Sequence, residues 1–205
     1  MDTEHAPTRA AVLELKEERT VVTEAYDFLD EKRLLLAAEM LRQLEQYERL
    51  FAQIQSLYQE AGDQLAAAVQ LHGLQGVTVY PAVTLGEVEL GVQQRNFMGI
   101  RLVDIALHIP GSREIAAVPA TNSSVEAERC RAVFYQILQQ SAVLSGISGN
   151  LYRLLKEFRL TERRTRALEN IILPEIEQAL VQMSGYLEEL DLEDAIRARL
   201  HEPSA

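Results

Sequence analysis

Apolar residues recur every seven positions along the first third of the chain, with charged and amide side chains between them. The repeat opens with Leu15, Val22, Leu29 and Leu36. After one four-residue step it continues to Ala68 in alternating steps of three and four. This spacing places the apolar residues along one side of a helix and is typical of a coiled coil. The consecutive four-residue steps 36–40–44 form a stutter, which locally unwinds the supercoil.

The last third of the chain carries a second apolar seam of the same kind. Its main positions are Ile137, Leu144, Leu151, Phe158, Thr165, Ile172, Ala179 and Tyr186. Two successive four-residue steps, 168–172–176, again make a stutter. Pro174 lies inside this helix and removes the hydrogen bond to residue 170, which predicts a kink near the stutter.

Two such helices fold back on each other if their seams face. If residue 10 lies beside residue 200, the numbers of any two residues at the same level add up to about 210. Residue 40 then lies beside residue 172 within one helical turn. The two stutters are then expected at the same height, which favours an antiparallel pair. Some 60 residues of helix are roughly 90 Å long, too long for a globular core of this size to surround.

The middle of the chain has a different composition, with six of the ten glycines and three of the six prolines. Short apolar–polar alternations predict two strands joined near Gly91–Asn96, and residues 110–124 are expected to form a loop. The predicted fold is mainly α: a long antiparallel two-helix coiled coil with a short irregular or β-hairpin middle segment. The boundaries expected for its three parts are 8–71, 72–124 and 125–200.

Charge and cysteine content exclude several classes of function. The formal net charge of −11 disfavours nucleic acid, because most of the surface repels a phosphate backbone. The single cysteine excludes an internal disulfide and a cysteine-based zinc site. The charged first 20 residues lack the apolar core of a signal peptide, so a cytoplasmic protein is expected. The charge-free stretches 64–86 and 132–152 are too polar to cross a membrane, so no direct insertion is expected.

No constellation of catalytic residues can be assembled from the sequence. A G-x-x-x-x-G-K-[ST] phosphate loop is missing, and none of the four histidines follows a Glu by three residues, as a helical di-iron site requires. The carboxylates lie beside Lys and Arg along the helices, which is typical of solvated faces. We therefore predict no catalytic, cofactor-binding or metal-binding residue.

One basic cluster departs from the acidic character of the chain. It comprises Lys156, Arg159, Arg163, Arg164 and Arg166. Ordinary solvated charge is one interpretation of this cluster, and a surface for a partner is the other.

Four stretches of the chain form a recognisable set of motifs. They are Pro7-Thr8-Arg9 with Leu13, Leu15-Lys16, Leu29 and Glu31-Lys32-Arg33; Arg95-Asn96-Phe97-Met98-Gly99-Ile100; Thr161–Glu169; and Leu173-Pro174-Glu175-Ile176-Glu177. Together they resemble the D subunit of the V-type and archaeal-type rotary ATPases. Their order and spacing extend over nearly the whole chain. Departures at Ala25, Phe28 and Asp30, a last segment (197–205) that is not lysine-rich and the acidic charge of the whole chain indicate a divergent branch. The size of the chain fits a bacterial or archaeal type.

This resemblance implies a non-catalytic rotor shaft in the central stalk, which couples ATP hydrolysis or synthesis to H⁺ or Na⁺ translocation. The implied partners are the catalytic and non-catalytic nucleotide-binding ring subunits, a small second stalk subunit and the adaptor on the membrane ring. The implied location is cytoplasmic, peripheral to the membrane. The candidate partner contacts are Arg9, Lys32, Arg33, Met98, Arg163, Arg164 and Arg166. A prefoldin-like or other structural coiled coil is the alternative, since fold alone does not determine function.

Overall fold

The computed structural model describes residues 8–78, 88–108 and 125–200. In chain order the elements are α1 (Arg9–Thr78), β1 (Glu89–Phe97), β2 (Ile100–His108), α2 (Val125–Ala167), a π-helical turn (Leu168–Ile172) and α3 (Leu173–Leu200). The chain divides into two compact units, with boundaries inside α1 and α2. We call Met1–Leu35 with Phe158–Ala205 the terminal unit, and Leu36–Glu157 the hairpin unit. The mainly helical fold with a short two-stranded sheet between the helices confirms the predicted fold class.

Helix α1 begins at a conventional cap and contains one break. The Thr8 hydroxyl accepts a hydrogen bond from the Ala11 N–H at 3.1 Å, which satisfies one of the free amides of the first turn. The break is at Gly73, whose φ of 71° and ψ of 163° are not helical. Glycine adopts this positive φ at little cost, whereas a side chain would strain it. A second helical stretch follows the break and extends to Thr78.

In the terminal unit, an ion pair shows how α3 lies along the start of α1. Nη2 of Arg9 donates to the two carboxylate oxygens of Asp191 at 2.9 and 3.0 Å. In an antiparallel pair, residues at the same level have numbers with a constant sum. Arg9 and Asp191 give a sum of 200 in place of the expected 210. The expected pairing of residue 10 with residue 200 is therefore wrong by about ten residues. The apolar pattern could not detect this error, because a shift of about three turns returns a helix to nearly the same face. The two stutters were expected at the same height only in that register, so this expectation no longer follows.

A π-helical turn lies just before Pro174, at the second stutter, whereas the kink predicted there stays a prediction. The Leu173 N–H bonds to the Leu168 carbonyl, five residues back, and Pro174 is the second residue of α3. A π turn contains more residues than an α turn. The two successive four-residue steps of the stutter, 168–172–176, therefore stay on the same side of the helix. Ile176, one step beyond the turn, is accordingly buried in the terminal unit.

In the hairpin unit, α1 and α2 pack through a small apolar core. Ala61 lies against Val133 and Ile137, with Leu57 partly buried beside them. Cys130 is buried next to this core, with its Sγ 3.8 Å from the Ala61 carbonyl oxygen. Burial raises the pKa of the Cys130 thiol, which keeps it protonated and a poor nucleophile.

The two strands form an antiparallel hairpin whose ladder runs from Phe97↔Ile100 to Glu89↔His108. Its two-residue turn is Met98-Gly99, with φ values of 49° and 84°. Positive φ at both central residues is the geometry of a type I′ turn, which suits the twist of the strands. The predicted junction near Gly91–Asn96 is therefore wrong, because the alternating pattern continues through Gly91 and those residues belong to β1. The loop predicted over residues 110–124 lies outside the described residues.

Candidate functional site

The hairpin is attached to α1 through a buried carboxylate. Glu39 is 8% exposed, and its Oε1 accepts hydrogen bonds from Nη2 of Arg42 and Nη2 of Arg95, each at 2.6 Å. Gln43 adds a third bond to Oε1 at 3.0 Å, and Nε of Arg42 donates to Oε2 at 2.8 Å. Arg95 belongs to β1, so this network connects the strand to the helix. The hydrogen bond from Arg42, together with those from Arg95 and Gln43, outweighs desolvation and lowers the pKa of Glu39 to about 2.

A second attachment joins β2 to α2 through one asparagine. The Val103 N–H donates to Oδ1 of Asn150 at 2.8 Å, and Nδ2 of Asn150 donates to the Val103 carbonyl at 2.9 Å. Arg153 donates a further hydrogen bond to Oδ1 at 3.1 Å. Asn150 is only 1% exposed, so its polar atoms would be costly to bury without these partners. The side chain thus takes the place of a neighbouring strand at the outer edge of β2.

One helical turn before Asn150, a glycine allows β2 to approach α2 closely. A Cβ added at Gly146 would lie 3.1 Å from Cγ1 and 3.3 Å from Cβ of Ile105. A side chain at this position would therefore require Ile105 to shift by a few tenths of an ångström. Gly146 and Asn150 together form what we call the β2 dock, which receives Ile105 and Val103 respectively.

A cavity of about 420 Å³ lies beside the β2 dock, between α1, β2 and α2. Its lining is mainly apolar, and Arg49 and Asp104 are its charged members. Within the described ranges, the structure contains no group of three or more His, Cys, Asp or Glu that could hold a metal ion. The residues that line the cavity include neither histidine nor cysteine.

The candidate partner contacts Arg9, Lys32 and Arg33 lie in the terminal unit, and acidic neighbours are seen for Arg9 and for Arg33. Arg9 is exposed and paired with Asp191, and Arg33 pairs with Asp30 at 2.6 Å in the same helix. Lys32 is half-buried. A partner would therefore have to compete with existing ion pairs for Arg9 and Arg33.

Met98 is the only candidate contact in the hairpin unit. It occupies the first turn position with a φ of 49°, the only positive value among the described non-glycine residues, and is half-buried. A methionine is an unusual choice there, since type I′ turns favour Asn or Gly. The turn is nonetheless well defined, because Gly99 follows with a φ of 84°.

The basic cluster presents three arginines to solvent from the terminal unit. Arg163, Arg164 and Arg166 are exposed, whereas Thr161 and Thr165 on the same helix are 1% and 2% exposed. Arg166 pairs with Glu162 at 2.7 Å, and the structure shows no ion pair for Arg163 or Arg164 among the residues it describes. These two guanidinium groups are therefore available to an acidic partner.

The attachments of the hairpin were missed by sequence reasoning, although a signal was present. Gly146 and Asn150 are poor helix formers in the middle of a long helix, which indicates a packing or hydrogen-bonding constraint. Nothing in the sequence indicated that Glu39 would meet Arg95, which is 56 residues away.

The described residues define a class of protein: a helical scaffold on which a β-hairpin is docked. Comparison with known proteins is more specific. Residues 11–201 match the family model described as the D subunit of ATP synthase, and the chain belongs to that family.

Three relatives illustrate the extent of the similarity. The D subunit of the V-type ATP synthase of Thermotoga neapolitana is 26% identical over 194 residues, covering 95% of each chain. The D subunit of the A-type ATP synthase of Pyrococcus horikoshii is 28% identical over 199 residues, covering 94% of this chain and 91% of the relative. The corresponding A-type protein of Archaeoglobus fulgidus is 24% identical over 197 residues, covering 94% of this chain and 93% of the relative.

Proposed function

We propose that this chain is the non-catalytic shaft of the central stalk in a V/A-type rotary ATPase or ATP synthase. The observation that carries the proposal is the family match over residues 11–201, which includes both helical regions and the hairpin. The similarity to the relative from Thermotoga neapolitana covers 95% of the chain, so the likeness is not confined to a coiled-coil repeat.

The architecture supports a mechanical role. Antiparallel helices that pack through apolar seams resist bending, which a rotating shaft requires. A shaft couples sites by making different contacts with each member of the surrounding ring, and so favours a different conformation in each. No residue of the chain has to bind nucleotide for this purpose.

The partners of such a shaft are the catalytic and non-catalytic subunits of the nucleotide-binding ring, a small second stalk subunit and the adaptor of the membrane ring. The exposed Arg163 and Arg164 support a contact with acidic side chains, because neither has an ion pair in the described part of the chain. In the described helices, no segment is long and apolar enough to cross a bilayer. We therefore propose that the chain works at the membrane through its partners.

Reconstitution tests the proposal. The other subunits of the complex, expressed from the same organism, are assembled in membranes with or without this chain. Complexes that contain the chain should couple ATP hydrolysis to ion transport, and complexes that lack it should transport no ions. The isolated chain should hydrolyse no ATP. The proposal is wrong if the chain fails to co-elute with the ring subunits and instead prevents the aggregation of unfolded clients, as a prefoldin-like protein would.

A further inference from the structure

The β2 dock fixes the position of the hairpin on the helix by two different physical means. At Asn150, the strand is held by two hydrogen bonds to one backbone residue, at 2.8 and 2.9 Å. At Gly146, it is held by close contact, since the space a Cβ would occupy is within 3.1 Å of Ile105. Gly146 and Asn150 are one turn apart on α2, roughly 6 Å, and Val103 and Ile105 are two residues apart on β2, roughly 7 Å. Because the two spacings match, both contacts can form at the same time.

The geometry of Val103 shows which edge of the hairpin the dock occupies. Val103 faces Gln94 in the ladder, yet both its N–H and its C=O bond to Asn150. Val103 therefore belongs to a non-hydrogen-bonded pair, and its polar groups point away from β1. The dock lies at the outer edge of β2, while Leu90 and Val92 of β1 remain 54% and 48% exposed.

The opposite strand is restrained independently from α1. Arg95 of β1 reaches the buried Glu39, which also holds Arg42 and Gln43. Each strand is thus attached to a different helix of the hairpin unit. A hairpin held from both sides cannot tilt or slide on the helices unless buried polar groups lose their partners.

We propose that Asn150 is a positioning residue, with Gly146 as its steric counterpart, that makes the hairpin part of the rigid shaft. This inference rests on the proposed function, because only a shaft subjected to torque requires a rigid hairpin. A partner bound at the hairpin then turns with the helices, and torque leaves the chain through the β2 dock. Without Asn150 the helices still pair and turn inside the ring, but the hairpin yields under load and ATP hydrolysis outruns ion transport.

The test compares coupling with local opening in the same variants. Asn150→Ala removes both hydrogen bonds, and Gly146→Ala inserts a methyl group against Ile105. In the full chain, each should speed hydrogen exchange at the Val103 amide at least tenfold. In the reconstituted complex, each should lower the number of ions moved per ATP at least twofold, with protons and sodium ions both assayed, while ATP hydrolysis stays within twofold of wild type.

Rescue and a matched control separate positioning from stability. The double variant Gly146→Ala/Ile105→Ala removes Cγ1, the nearest atom at 3.1 Å, but keeps Cβ at 3.3 Å. It should therefore restore part of the protection at Val103 and part of the coupling ratio lost in Gly146→Ala. Val133→Ala opens the core between α1 and α2, in which Val133 packs with helical residues, and should leave the ratio unchanged.

Three outcomes would overturn the inference. The first is an unchanged coupling ratio in Asn150→Ala despite faster exchange at Val103. The second is an equal loss of coupling in Val133→Ala, which would show that stability alone matters. The third is the absence of ATP-driven transport in complexes containing the wild-type chain, which would contradict the proposed function and remove the inference with it.

Discussion

Glu39 of α1 and Arg95 of β1 form an ion pair of 2.6 Å that links two elements 56 residues apart. The carboxylate is 8% exposed and the guanidinium 36% exposed, so the pair lies at the margin of the hairpin unit with its negative end inside. This position is favourable, because the buried charge keeps three hydrogen-bonding partners while the arginines remain in contact with solvent.

Glu39→Gln should lower the free energy of unfolding by about 1–3 kcal/mol at pH 7, because it removes the charge that holds Arg95 and Arg42. The pKa of Glu39 is lowered from an ordinary 4.5 to about 2, so its contribution is present above pH 4.5 and is lost as the pH falls towards 2. Urea unfolding at pH 7, 4 and 2.5 checks this. Glu128→Gln, which removes an exposed carboxylate 3.5 Å from the half-buried Arg131, should cost less than about 0.5 kcal/mol. Equal losses in both variants would contradict the special role of Glu39.

Met98→Asn should stabilise the hairpin by about 0.5 kcal/mol, since asparagine tolerates the positive φ that methionine adopts there. Gly99→Ala should destabilise it by about 1 kcal/mol for the opposite reason. Hydrogen exchange of the strand amides is the measurement. Gly91→Ala is the control: its Cβ would lie 3.5 Å from the Ala106 carbonyl, an ordinary contact, and little change is expected. If Gly91→Ala loosened the strands as much as Gly99→Ala, turn geometry would not explain the effect.

Reversing Arg163, Arg164 and Arg166 to Glu should leave the isolated chain folded, because all three are exposed. It should weaken co-elution with the ring or slow ATP hydrolysis of the assembled complex, since an enclosed charge contact is worth more than the roughly 0–1 kcal/mol of an exposed pair. The control reverses Glu14, Glu17 and Glu18 to Lys, since these residues are also exposed on a helix of the terminal unit. Normal assembly and turnover of the arginine variant would show that the basic cluster is solvated charge.

Leu154→Ala should destabilise the protein by about 2–5 kcal/mol, because the side chain is fully buried and its loss leaves a cavity. Tyr152→Ala, two residues earlier and 72% exposed, should change stability by less than about 0.5 kcal/mol. Thermal unfolding of both variants is a sufficient measurement. A comparable loss in Tyr152→Ala would mean that the exposed ring also packs against the protein.

The helices could be predicted from the sequence because a coiled coil repeats one apolar spacing, here from Leu15 to Ala68 and again from Ile137 to Tyr186. Their register could not, because shifts of about three turns keep nearly the same face on the seam; the pair Arg9–Asp191 decides between such registers only in three dimensions. The hairpin was predicted from its alternating pattern, but its turn depends on backbone angles at Met98 and Gly99 that the pattern does not encode.

The candidate site also has a part that the sequence predicts and a part that it does not. Exposure of Arg163, Arg164 and Arg166 follows from their places off the seam, so the sequence was sufficient to predict it. The bonds between Asn150 and Val103 join residues 47 positions apart and depend on how closely β2 approaches α2. Such a contact has no periodic signature, and only the folded backbone shows it.

The π-helical turn at Leu168–Ile172 sets the rotational phase of the helix that follows it. The turn holds one more residue than the same stretch of α-helix would, and it thereby keeps α3 in phase with the helix before it. If the same residues instead formed a regular α-helix, α3 would be rotated by about 100° around its own axis, the angle that one residue occupies. Ile176 and Leu180 would then leave the interior, and Asp191 would turn away from Arg9. The π-helical turn therefore determines the azimuth of all 28 residues of α3.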